Sequence, residues 1–94
     1  MGMQYDVKSA YADESGVVVG YRTRIKSVYI DTAESGTDPV VFHDGEDGNA
    51  DVLLTVSTAS AGGRTVYIPG EGILAENGVY VDLGDATAVT VFYG

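Results

Sequence analysis

Apolar and polar residues alternate with a period of two over short stretches rich in Val, Thr, Tyr and Ile, separated by glycine, asparagine and aspartate. That is the pattern of half-buried β-strands, and no stretch shows helical periodicity. Tyr5, Val7, Ser9 and Tyr11 share one face of a first strand, closed by Asp13-Glu14-Ser15-Gly16. Val17, Val19, Tyr21, Thr23 and Ile25 share a face of the next, with Arg22, Arg24 and Lys26 opposite. The apolar positions then move to Val28 and Ile30, so the register flips near Ser27. Such a flip predicts a bulge or a strand that passes between sheets, because a one-residue slip reverses every side chain.

After the loop from Asp31 to Pro39, Val40 to His43 forms a strand stopped by Asp44-Gly45. Val52, Leu54 and Val56 are predicted to face inward, with Leu53, Thr55 and Ser57 outward. Arg64 to Ile68 follows, then a Pro69-Gly70-Glu71-Gly72 turn whose glycines permit positive φ. Ile73-Leu74 reads as a very short strand, and Asn77-Gly78 as a type I′ hairpin turn. Val79, Val81 and Leu83 form the penultimate strand, and Val89, Val91 and Tyr93 belong to the last. About eight short strands with Gly-rich turns predict an all-β fold, a small antiparallel sandwich of jelly-roll type.

The length of 94 residues allows a single domain spanning 1–94, and no repeat or linker divides it. With 45% hydrophobic and 20% charged residues, the chain is too apolar for a disordered acidic tail. Five cations against 14 acids give −9. Phosphate affinity needs clustered Lys and Arg, so this balance argues against nucleic acid and against an anionic membrane surface. Cysteine is absent, which removes disulfides, thiolate metal sites and thiol nucleophiles. The segment from Met1 to Asp6 has no basic region leading into an apolar stretch, which predicts synthesis without a cleaved signal.

His43 is the single imidazole and stands beside Asp44 at a strand end. Adjacent strand residues point to opposite faces, so Asp44 is poorly placed to orient it, and no G-x-S-x-G pattern supplies a nucleophile. The loop from Asp44 to Asp51 carries x-spaced oxygens at Asp47, Asn49 and Asp51, but the positions needing Gly and Glu in an EF-hand are Val52 and Thr58. The other acids lie in or beside turns, where water keeps them ionised, unlike a paired glycosidase site. The expectation is no enzyme, no metal and no cofactor.

Two features remain. Arg22, Arg24 and Lys26 gather cations on one strand face, either to meet an acidic partner or to guard an exposed edge. Tyr67, Tyr80 and Phe92 each alternate with inward apolar residues, placing aromatics on the face away from the core. Such aromatics bury against another subunit or form a stacking platform for sugars; with no tryptophan, protein contact is favoured. The apolar Val89-Thr90-Val91-Phe92-Tyr93 and Gly16-Val17-Val18-Val19-Gly20 segments would be aggregation-prone edges if left uncovered.

Ser27-Val28-Tyr29-Ile30, Val41-Phe42-His43-Asp44-Gly45, Ile68-Pro69-Gly70-Glu71-Gly72-Ile73, Gly78-Val79-Tyr80-Val81 and Val89-Thr90-Val91-Phe92-Tyr93 together resemble small all-β proteins from the structural genes of tailed bacteriophages, especially marine cyanophage-like podoviruses. The resemblance spans residues 27–94 and carries over no catalytic residue. It implies a virion structural protein and leaves capsid decoration, a head–tail or tail component and a fibre module open; small size, an acidic solvent face and apolar strand ends favour a capsid decoration or cement protein on the particle surface. It would bind the major capsid protein or other virion proteins, and itself as a homo-oligomer such as a trimer. The alternative is a glycan-binding or host-recognition module of a phage tail or fibre, using exposed tyrosines.

Overall fold

Polar and glycine-rich turns cut the chain into nine strands, and every strand pairing in the computed structural model, which describes residues 7–94, is antiparallel. The strands are β1 (Lys8–Ala12), β2 (Gly16–Val19), β3 (Thr23–Thr32), β4 (Val40–Asp44), β5 (Asp51–Val56), β6 (Gly62–Tyr67), β7 (Ile73–Ala75), β8 (Val79–Asp82) and β9 (Ala88–Tyr93). One sheet has the order β1-β9-β3-β6, with β7 also on β3; the other has the order β2-β8-β4-β5. Val28, Ile30, Val89 and Val91 from the first sheet meet Val40, Phe42, Val79 and Val81 from the second in one dry core. Burying side chains of this size contributes roughly 1.5–3 kcal/mol each.

β6 pairs with Ser27–Thr32 of β3 and β7 with Thr23–Ile25, so these two are one strand interrupted opposite Lys26. The interruption is the predicted Pro-Gly-Glu-Gly segment. Gly70 and Gly72 have φ of +68° and +94°, and a Cβ on Gly72 would collide with the Ile25 carbonyl oxygen. Counting β6 and β7 together, every connection except the β4–β5 hairpin crosses from one sheet to the other. This is the wiring of an eight-stranded jelly roll. The predicted flip near Ser27 is present as a bulge between Ile25 and Ser27 in the β3–β9 pairing. It lets one strand bury Thr23 and Ile25 and then Val28, Ile30 and Thr32.

The face that Val7, Ser9 and Tyr11 share points outward, with Ala10 and Ala12 turned inward; Tyr5 lies outside the described residues. β1 is a sheet edge, where small residues suffice and the tyrosine hydroxyl stays in water. Three expectations need correction. The segment from Val17 to Ile25 is two strands in different sheets, broken at 20–22, and a β2 irregularity buries Val19 while leaving Val17 exposed. A bulge opposite Phe42 and His43 turns Val52 onto the outer face, leaving Leu54 and Val56 directed to the core. Asn77-Gly78 is no hairpin turn: it joins β7 of one sheet to β8 of the other, and Asn77 does not adopt positive φ.

Candidate functional site

The outer face of the β1-β9-β3-β6 sheet is built from residues that alternate with the core positions. Register places Ser9, Phe92, Ser27 and Tyr67 in one row and Tyr11, Thr90, Tyr29 and Thr65 in the next. Ala88, Asp31 and Gly63 form a third. Asp31 is the single charged side chain in these three rows, in a chain of net charge −9. The rows carry rings, hydroxyls and two small residues; the outer face of the other sheet is similarly poor in charge, with Asp82 among Val17, Val41, Val52 and Thr55, but it exposes valines where this face exposes three tyrosines.

Tyr67 is 81% exposed and Tyr11 68% exposed, whereas Tyr29 is 41% exposed and lies across β6. A Cβ on Gly63 would collide with the Tyr29 hydroxyl and ring, so glycine there is what lets the ring lie down on the neighbouring strand. Tyr11 and Tyr29 sit two strand spacings apart, about 10 Å. They wall a shallow cleft of about 90 Å³, floored by Ala88, Val89 and Thr90 with Asp31 at its margin.

Of the predicted aromatics, Tyr67 and Phe92 share a row of this face, flanking Ser27. Tyr80 does not join them. It stands on the opposite sheet beside His43, with ring centroids 5.9 Å apart, under the Asp44–Asp51 loop. Tyr11 and Tyr29 were missed, although Tyr29 alternates with Val28 and Ile30 just as Tyr67 does with Val66 and Ile68. Tyr11 carries no such signal, since only the pairing of β1 with β9 shows that its face is the outer one.

The predicted cation trio is divided. Arg22 lies in the β2–β3 turn, and Arg24 is half-buried at the start of β3. Together with Lys8 and Tyr21 they line a cavity of about 270 Å³ at one end of the sandwich. Lys26, at the bulge, instead donates from Nζ to the Glu71 carbonyl oxygen at 2.8 Å and ties down the Pro69–Gly72 excursion. Next to this cavity the Tyr21 and Tyr93 rings meet edge to face at 6.4 Å. A side-chain hydrogen bond in which the Tyr93 hydroxyl donates to Tyr21 holds the Tyr93 phenol above its usual value, with desolvation adding to it.

His43 is buried, and its Nδ1 lies 2.9 Å from the Ala50 carbonyl oxygen, so that nitrogen carries the proton and donates. Asp44 accepts from the Asn77 amide at 2.7 Å, and so engages the inter-sheet connection. Asp47 closes its own loop, accepting from the Asn49 amide at 2.9 Å. Among the described residues no group of three or more His, Asp or Glu side chains converges to hold a metal ion. Comparison with family models, with curated proteins and with solved structures found no match.

Proposed function

We propose that this chain is a non-enzymatic virion structural protein of a tailed bacteriophage, a capsid decoration or cement protein that works through protein contacts. In this reading it is made in the host cytoplasm and resides on the particle surface, against the major capsid protein or a neighbouring virion protein. The observation that carries the reading is the nearly uncharged outer face of the β1-β9-β3-β6 sheet, with Tyr11, Tyr29 and Tyr67 exposed on it. Depletion of charge with enrichment in tyrosine marks the centre of protein interfaces, where a few such rings carry most of the affinity. The jelly roll serves viral capsid and lectin domains alike, so the fold adds only analogy; the phage assignment rests on the sequence resemblance.

A second reading, binding of a glycan by a tail or fibre module, is favoured by one observation: Tyr11 and Tyr29 line a single cleft together with Thr90 and Asp31, so aromatic, hydroxyl and carboxylate groups meet there. Its volume of about 90 Å³ is small for a sugar ring held on several sides, which ranks it second. Cryo-electron microscopy of particles from the encoding phage separates the two. Decoration predicts regular density for the chain on the capsid, lost when Tyr29→Ser and Tyr67→Ser are combined. Absence of the chain from the particle sinks both virion readings, and localisation to the tail together with a glycan-array signal lost in Tyr29→Ser selects the second.

A further inference from the structure

We propose that two copies of this chain pair end to end, the cationic rim of each receiving the acidic β4–β5 hairpin of the other. This deepens the assembly reading by naming a contact between copies, and it uses a surface separate from the tyrosine face.

The end in question is where β2 passes to β3 and β7 to β8. On the side of the β1-β9-β3-β6 sheet, Lys8, Arg22 and Arg24 converge with Tyr21 on the cavity of about 270 Å³. Its remaining lining is Thr23, Leu74 and Gly94, with no Asp or Glu side chain among the described residues. Three of the chain's five cations are therefore collected at one place. On the side of the β2-β8-β4-β5 sheet, the same end carries the hairpin from Asp44 to Asp51, with Glu46 and Asp47 exposed at its tip.

The two sides form one continuous rim. The Gly45 amide donates to the Gly78 carbonyl oxygen at 3.2 Å, and the Asn77 amide donates to Asp44. Gly78 in turn lies against the backbone of Val19 and Tyr21, immediately before Arg22.

Opposite charges side by side on one end make that end complementary to itself. A two-fold axis lying between the sheets carries the cations of one copy over the acids of the other and repeats the contact reciprocally, as an isologous interface requires. The opposite end has no such option. It gathers Asp13, Glu14, Glu34, Asp38, Asp82 and Asp85 against Arg64 as the one cation near it, close to the start of β6, so two copies meeting there repel. Charge pattern thus admits one end-to-end pairing, and because each contact is one hairpin against one cavity, the pair falls in the weak, salt-sensitive class of interfaces.

Sedimentation velocity of the full chain tests this. The expected result is twice the 9.8 kDa chain mass at about 0.05 M salt, falling toward a single chain near about 0.5 M as screening shortens. Arg22→Glu with Arg24→Glu, and separately Glu46→Lys with Asp47→Lys, are each expected to weaken pairing by about 100-fold. Mixing the two variants should restore a dimer, since each then offers what the other lacks. The hairpin variant alters exposed loop residues and gives up, beyond charge, the Asp47–Asn49 hydrogen bond at the loop tip, so it remains informative if the arginine variant unfolds. A single-chain mass at all concentrations in low salt, a three-chain mass, a dimer surviving either reversal, or a mixture that stays monomeric would overturn the proposal. None of these outcomes touches the tyrosine face, whose test is particle binding.

Discussion

Gly78 is where the path of the chain between the two sheets is most tightly constrained, and replacing it with alanine is the sharpest test of that path. Its φ is +112°, a region that an L residue occupies only at about 1–3 kcal/mol. A Cβ built on it would also stand 2.5 Å from the Val19 carbonyl oxygen and 3.3 Å from the Tyr21 nitrogen. Both obstacles are backbone, and Val19 itself is 2% exposed, so relief requires moving the end of β2 within the core. Overpacking of that kind adds about 1–3 kcal/mol. Gly78→Ala is therefore expected to lose about 2–6 kcal/mol from a total that for 94 residues is about 5–14 kcal/mol.

Urea unfolding followed by far-ultraviolet circular dichroism reads this directly, and Tm should fall by at least about 8 °C. Gly16→Ala and Gly20→Ala are the controls, because a Cβ at either meets nothing within 4 Å. Asn77→Ala sharpens the test: a type I′ turn would need positive φ at Asn77, whereas here only its backbone amide is used, toward Asp44. Its loss should stay below about 1 kcal/mol. If Gly78→Ala behaves like Gly20→Ala, or Asn77→Ala is the more damaging change, the inter-sheet connection described here is wrong.

Two further outcomes follow from local geometry. Asp85 Oδ2 accepts from both the Thr37 and Asp38 amides at 2.8 Å, anchoring the β3–β4 loop to the β8–β9 turn, so Asp85→Ala should lose about 1–2 kcal/mol, discounted for solvent. Faster hydrogen exchange at those two amides is the specific readout, and unchanged exchange would remove the anchor. The raised Tyr93 pKa means that the folded state favours the neutral phenol, a preference fully present below pH 10.0 and lost as pH climbs through the higher folded value. Ultraviolet titration should show one phenol ionising late, and Tyr21→Phe should bring it back toward the others by removing the first cause of the shift.

The sandwich was readable because its core strands obey the alternation rule: Val79, Val81 and Leu83, and likewise Val89 and Val91, are buried as their spacing requires. The flip at Ser27 was also legible, since Val28 and Ile30 cannot share a face with Ile25 without an extra residue. What failed was sheet membership. Asn77-Gly78 looks like a local turn and 20–22 like the middle of a strand, yet both carry the chain across the gap between sheets, a task that short-range composition does not mark. Bulges were invisible where hydrophobic residues are consecutive: Leu53 and Leu54 offered no polar break to show that Val52 had changed sides. At the candidate site the alternation that selected Tyr67 also holds for Tyr29, so that residue was available to the same logic. Lys8 was not, because only the fold brings β1 beside Arg22 and Arg24.

Jelly-roll wiring explains why charge and aromatic surface separate so cleanly. Nearly every connection crosses between sheets, so the turns, which hold most of the acids, fall at the two ends of the sandwich. The sheet faces are left to strand residues, and on the β1-β9-β3-β6 face those residues are tyrosines and hydroxyls. A copy bound to a larger assembly through that face would lie with both ends directed sideways, one predominantly acidic and one of mixed sign. Lateral contact through the mixed end then requires no surface already used for attachment, and repulsion between acidic ends limits association to pairs rather than chains. The net charge of −9 acts in this arrangement by direction as much as by amount: it keeps one end free and leaves the tyrosine face and the mixed rim open to a protein neighbour without electrostatic penalty.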